Sequence, residues 1–325
     1  MSPETVYLGR DERPPGLEQI ASGKVRDVYT LDAEHLLFVT TDRVSAFDVI
    51  MDAGVPFKGA VLTAIAAHWF ARTADIVPNH LVSTSLDALE PFGVSLDASW
   101  RARLHGRIMV VKRCVPDPIE WVVRGYLAGS GWKEYQLRQS ICGVALPHGL
   151  SQAEALPRPI LTPTTKNDEH DQPLSPSEAR ALIGRARFEE GERICLALFE
   201  RGTQELARIG IRLADTKFEL GVRDGQVLLI DEALTPDSSR FWDNAQYRTQ
   251  TSPPSFDKQI LRDYLETLDW DKNYPAPEVD PAILERVSGR YREICERITG
   301  TDPGASSGPA PSAAPMNRPA HNGHA

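Results

Sequence analysis

Five charged side chains crowd a segment of strand-like sequence: Asp215, Lys217, Glu219, Asp231 and Glu232, within ADTKFELGVRDGQVLLIDEALTPDSSRFW at residues 214–242. Carboxylates in such number suit a hard cation, and a lysine among them suits a phosphate. An ion withdrawn from water without a partner costs several kcal/mol, in round terms ~3–5. Charges this dense on a half-buried sheet therefore need a compensator, and a divalent metal with a polyphosphate is one. A solvated face laced with surface ion pairs is the other account. TPDSSR, directly downstream, adds a turn, two hydroxyls, Asp237 and Arg240.

Strand geometry sets which of these groups can meet. IRLADTKFELGV and QVLLIDEAL read as two strands, and Asp224-Gly225 reads as a two-residue hairpin turn. In that register Glu219 faces Ile230 and Lys217 faces Glu232. Side chains alternate across a strand, so Asp215, Lys217 and Glu219 share one face with Glu232, and Asp231 points away. Glu219 and Glu232 then form a diagonal pair able to hold one cation. A one-residue slip would exchange Glu232 for Asp231.

Four further clusters carry chemistry. Gly23-Lys24-Val25-Arg26 opens a strand with two cations, suited to covering a phosphate, although no GxxxxGK[ST] motif is present and a surface basic pair is the plainer account. TTDRVSAFDVIM gathers Asp42, Arg43, Ser45 and Asp48 at a strand end and turn, a self-capping turn or a small polar ligand site, with Lys58-Gly59 available to an anion. Arg124 and Ser130 flank glycines in VVRGYLAGSGWKEY, where an arginine fork, a hydroxyl and free NH groups make a phosphate-monoester cradle. The polar run 164–171 contains Lys166, His170 and Asp171 and is either disordered or a lid over substrate.

These residues must be placed by surrounding elements. VRDVYTL and HLLFVTT read as a hairpin, GAVLTAIAAHWFART as a helix, and RIMVVKRC and IEWVVRGYLAG as further strands. Residues through about Gly16 read as a loose lead-in. The stretch 146–175 is too long and polar for a simple connector. Ser175, Pro176 and Glu178 form a capping box for a helix running to about Ile209, with an interruption expected near Gly191. Two helices follow, in SFDKQILRDYLETL and PAILERVSGRYREICERIT. The expected division is a β-rich lobe at 1–118, an α/β lobe at 119–299 and a disordered Pro/Gly/Ser/Ala-rich tail at 300–325.

The bulk properties exclude several classes. A chain of 325 residues with 41% hydrophobic and 25% charged residues can bury a large core. A net charge of -9 and a pI near 5.5 argue against a general binder of nucleic acid or anionic membrane. Cys114, Cys142, Cys195 and Cys295 form no CxxC pair and read as reduced thiols. With no signal peptide and no membrane-length apolar run, the expected compartment is the cytoplasm.

Taken together, GKVRDVY, TDRVSAFDVIM, VVRGYLAGSGWKEY, TPTTKNDEHD, ADTKFELG, DEALTPDSSRFW and SFDKQILRDYL resemble the SAICAR synthetase family, in its longer form. The compact TKNDEHD departs from that form, which often has a slightly longer loop there. The resemblance implies an α+β, kinase-like, ATP-grasp-related fold of two lobes with ATP between them. It implies an ATP- and Mg2+-dependent ligase joining L-aspartate to carboxyaminoimidazole ribonucleotide through an acyl phosphate. By the same resemblance Lys24 and Arg26 cover the ATP phosphates, and Glu219 and Glu232 hold magnesium. Asp215 and Lys217 border the transferred phosphoryl group. Arg124, Ser130 and Arg240 hold the ribonucleotide phosphate, with Asp237 and Ser239 in the same wall. Lys166 and Asp171 face the reaction centre, and Arg43 and Ser45 handle substrate. A small-molecule kinase on a related fold and a non-catalytic nucleotide sensor are the competing classes. The expected partners are small molecules alone.

Overall fold

The computed structural model describes residues 6–10, 12–166, 172–256 and 258–305 and has α+β content. The first sheet has five antiparallel strands, in the order Glu18–Ser22, Arg26–Thr30, His35–Thr40, Ile108–Lys112 and Leu81–Ser83. Apolar residues alternating along its central strands bury Tyr29, Leu37 and Val39 on one face. The helix Lys58–Arg72 packs against it, and its buried Val61, Leu62, Ile65 and Trp69 recur at helical spacing.

The second sheet is built around the strand Ile211–Arg223. Ile119–Tyr126 pairs with one edge of that strand, and Gln226–Ile230 and Ser239–Asp243 pair with it in succession. The helix Arg185–Arg208 lies across this sheet. It comes close because Gly191 carries no side chain: a Cβ there would meet the Trp121 ring at 2.2 Å. One continuous core joins the sheets, containing Met109 and Val111 from the first and Phe218 and Leu220 from the second. The helix Pro281–Thr299 closes the core against Lys58–Arg72.

Several expectations change. The helical run after the capping box at Ser175 divides at Gly184 into Pro176–Ile183 and Arg185–Arg208, and Gly191 lies unbroken inside the second helix. Gly184 adopts φ 85°, which only glycine takes without strain. TTDRVSAFDVIM forms a hairpin of its own, Arg43–Ala46 with Val49–Gly54, turned by Phe47 and Asp48 at positive φ. The lead-in is anchored, since Tyr7 is buried and its amide donates to Asp42 Oδ2 at 2.8 Å. Residues 155–161 of the polar stretch form a strand beside Ile119–Tyr126. The start of the expected tail is held by Arg292, whose Nε donates to Asp302 Oδ1 at 2.8 Å. The remainder of that tail, 306–325, lies outside the described residues. All four cysteines are free, and among the described residues no helix is long and apolar enough to cross a membrane.

Candidate active site

The hairpin forms in the register derived from its turn, with Glu219 opposite Ile230 and Arg223 opposite Gln226. Burial alternates along the strand, leaving Asp215, Lys217 and Glu219 half-buried between buried neighbours. The opposition of Lys217 and Glu232 does not form. Strand pairing stops at Ile230, because Asp231 takes φ 63° and breaks the two-residue alternation. The Lys217 amide instead donates to Ser238 O at 2.8 Å. With the alternation broken, Asp231 no longer points away. Asp231 and Glu232 both reach Arg26, Asp231 through Nη1 and Glu232 through Nη2 at 3.4 Å.

Glu219, Asp231 and Glu232 thus form an acidic cluster countered by three cations. Lys166 Nζ donates to Glu219 Oε2, and Lys217 Nζ donates to Glu120 Oε1 at 2.5 Å and lies 3.8 Å from Glu219 Oε1. Burial and then the charge of Asp231 raise the Glu219 carboxyl above its ordinary range. Burial also raises Glu232, against the opposing pull of Arg26. Asp231 is held low, because Arg26 and Lys217 outweigh its burial. Burial would lower Lys217, but Glu120 and Glu219 hold its ammonium protonated well above the usual range.

Among the described residues no three His, Cys, Asp or Glu side chains converge on one point. Magnesium asks for less: one or two carboxylates, with phosphate oxygens and water filling the octahedron. Glu219 and Asp231 are hard oxygen donors whose mutual repulsion a divalent cation would relieve, so the residues fit that ion.

The second constellation lies four residues back along the same strand. Asp215 pairs across the sheet with Arg124 on one side and Arg240 on the other. Its Oδ2 accepts from Arg124 Nη1 at 3.3 Å and Arg240 Nη1 at 3.1 Å. Arg124 Nη2 donates to Ser130 Oγ at 3.2 Å, and its Nε to Thr162 Oγ1 at 3.0 Å. Ser130 lies in the first turn of the helix Gly129–Arg138, whose N-terminus has no side-chain cap. Gly129 is required there: at φ 56°, a Cβ would stand 2.6 Å from Arg240 Nη2. Two guanidiniums, a hydroxyl and an uncapped helix N-terminus form an anion cradle. Asp215, expected beside the transferred phosphoryl group, is held between these two arginines.

Other expected site residues are placed differently. Arg43 is buried: Nη2 donates to Asp27 Oδ1 at 2.8 Å and Gly23 O at 2.9 Å, and Nη1 to Leu8 O at 2.7 Å. Buried, with both Nη groups partnered and only Nε lacking an acceptor, it is an internal strut, which does not fit direct substrate contact. Ser45 lies on the same hairpin, opposite Ile50. Asp42 accepts from the amides of Tyr7 and Gly59 and from Arg107, and so ties the fold. Ser239 is buried with its Oγ 2.8 Å from Thr216 Oγ1. Lys58, expected to be free for an anion, is fully buried against Asp237. Lys24 pairs with Asp48 at 2.6 Å while Arg26 pairs with the acidic cluster, so the two cations of GKVR go to different partners. Asp171 and His170 lie outside the described residues. Glu120 was missed because it sits singly in the apolar strand IEWVVRGY; its signal is a carboxylate in a run with no other acid.

The SAICAR synthetase family model matches residues 19–277. The phosphoribosylaminoimidazole-succinocarboxamide synthase of Syntrophotalea carbinolica is 50% identical over 89% of this chain and 97% of its own length. That of Methylococcus capsulatus is 49% identical over 92% of this chain and 99% of its own. Among solved structures, the SAICAR synthase of Saccharomyces cerevisiae complexed with SAICAR superposes with a TM-score of 0.83 at 36% identity, covering 91% of this chain and 99% of that one. A SAICAR synthetase in complex with ADP gives 0.64 at 26% identity, covering 87% and 98%.

Proposed function

This chain belongs to the SAICAR synthetase family, and from that premise we propose how its two constellations divide the formation of SAICAR in purine biosynthesis. The substrates are carboxyaminoimidazole ribonucleotide, L-aspartate and ATP. A carboxylate is a poor acylating agent, so its oxygen first attacks the γ-phosphorus of ATP, ADP leaves, and an acyl phosphate forms. The aspartate amine then attacks the acyl carbon, loses a proton and expels inorganic phosphate. Positioning and charge neutralisation supply most of the rate.

Arg124, Arg240, Ser130 and the helix N-terminus at Gly129 hold the ribonucleotide phosphate. Asp215 keeps the two guanidiniums aligned for it. The acidic cluster serves the other end of the substrate. Glu219 and Asp231 hold Mg2+, with Glu232 behind them on Arg26; this takes the alternative that a register slip left open, in place of the pair Glu219 and Glu232 expected from alternation and from the resemblance. Bound there, the ion supplies neutralisation of the ATP phosphates. Lys217 and Lys166, fixed by Glu120 and Glu219, present ammonium groups to the phosphoryl group in transfer. Lys24 covers the ATP phosphates from the turn before the strand Arg26–Thr30. ATP as the donor is supported by the related structure holding ADP. The first sheet and the second, which takes in Val115–Pro116 from before residue 119, form the two walls of a kinase-like, ATP-grasp-related cleft.

The observation that carries this reading is the shared strand: the anion cradle at Asp215 and the acidic cluster at Glu219 stand on one face of Ile211–Arg223. Incubating the protein with all three substrates and magnesium should release SAICAR and ADP in equal amounts. ADP release that does not depend on aspartate would sink the ligase in favour of a kinase, and ATP binding without turnover would favour a sensor.

A further inference from the structure

Burying an ammonium is unfavourable, and an apolar side chain of equal volume often holds a helix as well or better. Lys58 nevertheless stands fully buried at the first turn of Lys58–Arg72. Its Nζ donates to Asp237 Oδ2 at 2.7 Å. The same carboxylate accepts from Tyr291 Oη at 2.6 Å on Oδ1, and Lys258 Nζ lies 3.3 Å from Oδ2. Three separate segments, one from each of two helices and one from the turn before a third, therefore grip one carboxylate.

Asp237 belongs to the loop between the acidic cluster and the anion cradle. On its upstream side, Thr235 Oγ1 donates to Glu232 Oε2 at 2.9 Å and accepts from the amides of Asp237 and Ser238 at 3.3 Å each. On its downstream side, the Ser239 amide donates to Thr235 O at 2.8 Å, and Arg240 follows in the strand that meets Asp215. The loop is thus a short hydrogen-bonded knot with Glu232 at one end and Arg240 at the other.

We infer that Lys58 is a positioning residue, which through Asp237 fixes this knot and so sets the placement of Arg240 relative to Glu232. The inference rests on the roles proposed above for those two residues. Lys58 itself touches no ligand, since none of its surface is exposed. Tyr291 acts through the other oxygen of the same carboxylate.

The test compares Lys58→Met, Tyr291→Phe and Arg240→Ala, singly and in pairs, with steady-state kinetics for each substrate and thermal unfolding for each protein. Lys58→Met should lower kcat/KM for the ribonucleotide by about 100-fold, the scale of a displacement near 1 Å, and Tyr291→Phe by a smaller factor. In the Arg240→Ala background, Lys58→Met should add little to the rise in ribonucleotide KM, because both act on one contact. A purely structural role predicts lower melting temperatures with unchanged kinetics below them, or losses that simply multiply; either overturns the inference. Should Lys58→Met fail to fold, Tyr291→Phe with Arg240→Ala makes the same comparison. Failure of the unsubstituted protein to form SAICAR would instead remove the functional reading on which the roles rest.

Discussion

Two of this molecule's sets of arginine–carboxylate pairs differ in what is left for a ligand. Around the first sheet, Arg43 grips Asp27 and two carbonyls, and Arg107 reaches the carboxylate of Asp42, which also takes two amides. On the second sheet, Asp215 divides one oxygen between Arg124 and Arg240, and the helix N-terminus beside them has no cap. The first set is walled off from solvent, although Arg43 Nε and Arg107 Nε have no hydrogen-bond partner, and it ties the lead-in at Tyr7 and Leu8, the small hairpin and the helix Lys58–Arg72 together. The second has cationic capacity in excess of its single carboxylate. Each set includes an arginine from a motif that reads as a ligand site, Arg43 of TDRVSAFD in the first and Arg124 of VVRGYLAGS in the second. Charge in a motif therefore does not separate scaffold from site; solvent access does, with side chains 0–8% exposed in the first set and 11–23% in the second.

Substitutions can break this contrast in order of effect. Glu219→Gln should leave the fold intact and lower kcat by roughly 100- to 1000-fold, the scale of losing one preorganised charge at a reacting phosphoryl group; full activity at saturating magnesium would remove Glu219 from the metal. Arg240→Ala should raise the ribonucleotide KM by about 100-fold, from roughly 2–3 kcal/mol for a charged hydrogen bond, while KM for aspartate stays close to its starting value. Arg43→Met should do the reverse. It strands a buried Asp27 and should cost about 3–5 kcal/mol in chemical denaturation, with ribonucleotide KM within about twofold of normal. A large KM change there would return Arg43 to the site.

A pH titration gives a finer separation. Burial lowers Lys58 to about 8, with Asp237 opposing the shift and Lys258 adding to it. Asp237, Lys258, Tyr291 and Glu232 are the charged and titratable groups acting on it. Its folded pKa lies below the ordinary lysine value of 10.5, so its protonation opposes folding fully below about pH 8 and less as pH rises toward 10.5. Activity should move the opposite way, because the neutral amine releases its charge on Asp237. The wild-type rate should fall above about pH 8 while unfolding free energy, relative to Lys58→Met, increases. A rate and a stability that fall together would exclude that role. The smallest effect is expected at Lys24, half-exposed beside Asp48. Lys24→Ala should raise ATP KM by only a few-fold, because exposed ion pairs contribute little.

The hairpin was legible because Asp-Gly fixes both turn and register, and the capping box at Ser175 because its three residues are local. The cradle at Arg124, Ser130 and Arg240 was legible as residue types. That Asp215 joins the two arginines required the pairing of three strands, which no local motif records. Asp231 was misplaced for a different reason: alternation holds only while φ stays extended, and one left-handed residue ended it. Lys58 and Asp237 read as polar groups free for a ligand, because burial by the distant helix Pro281–Thr299 leaves no mark near either. The break at Gly184 rather than Gly191 follows the same logic, since a glycine inside a helical pattern marks either a kink or a close approach, and Trp121 decides for the second.

The strand Ile211–Arg223 has one more consequence. Asp215 and Glu219 are four positions apart on one extended, doubly paired strand, a span of about 13 Å at roughly 3.3 Å per residue. Hydrogen-bonded along both edges, the strand would, on the roles proposed above, act as a ruler laid between the phosphate of the ribonucleotide and the carboxylate to be activated. Discrimination then comes from length. An analogue with every recognised group but a longer or shorter ribose linkage should bind at one end and fail to react at the other.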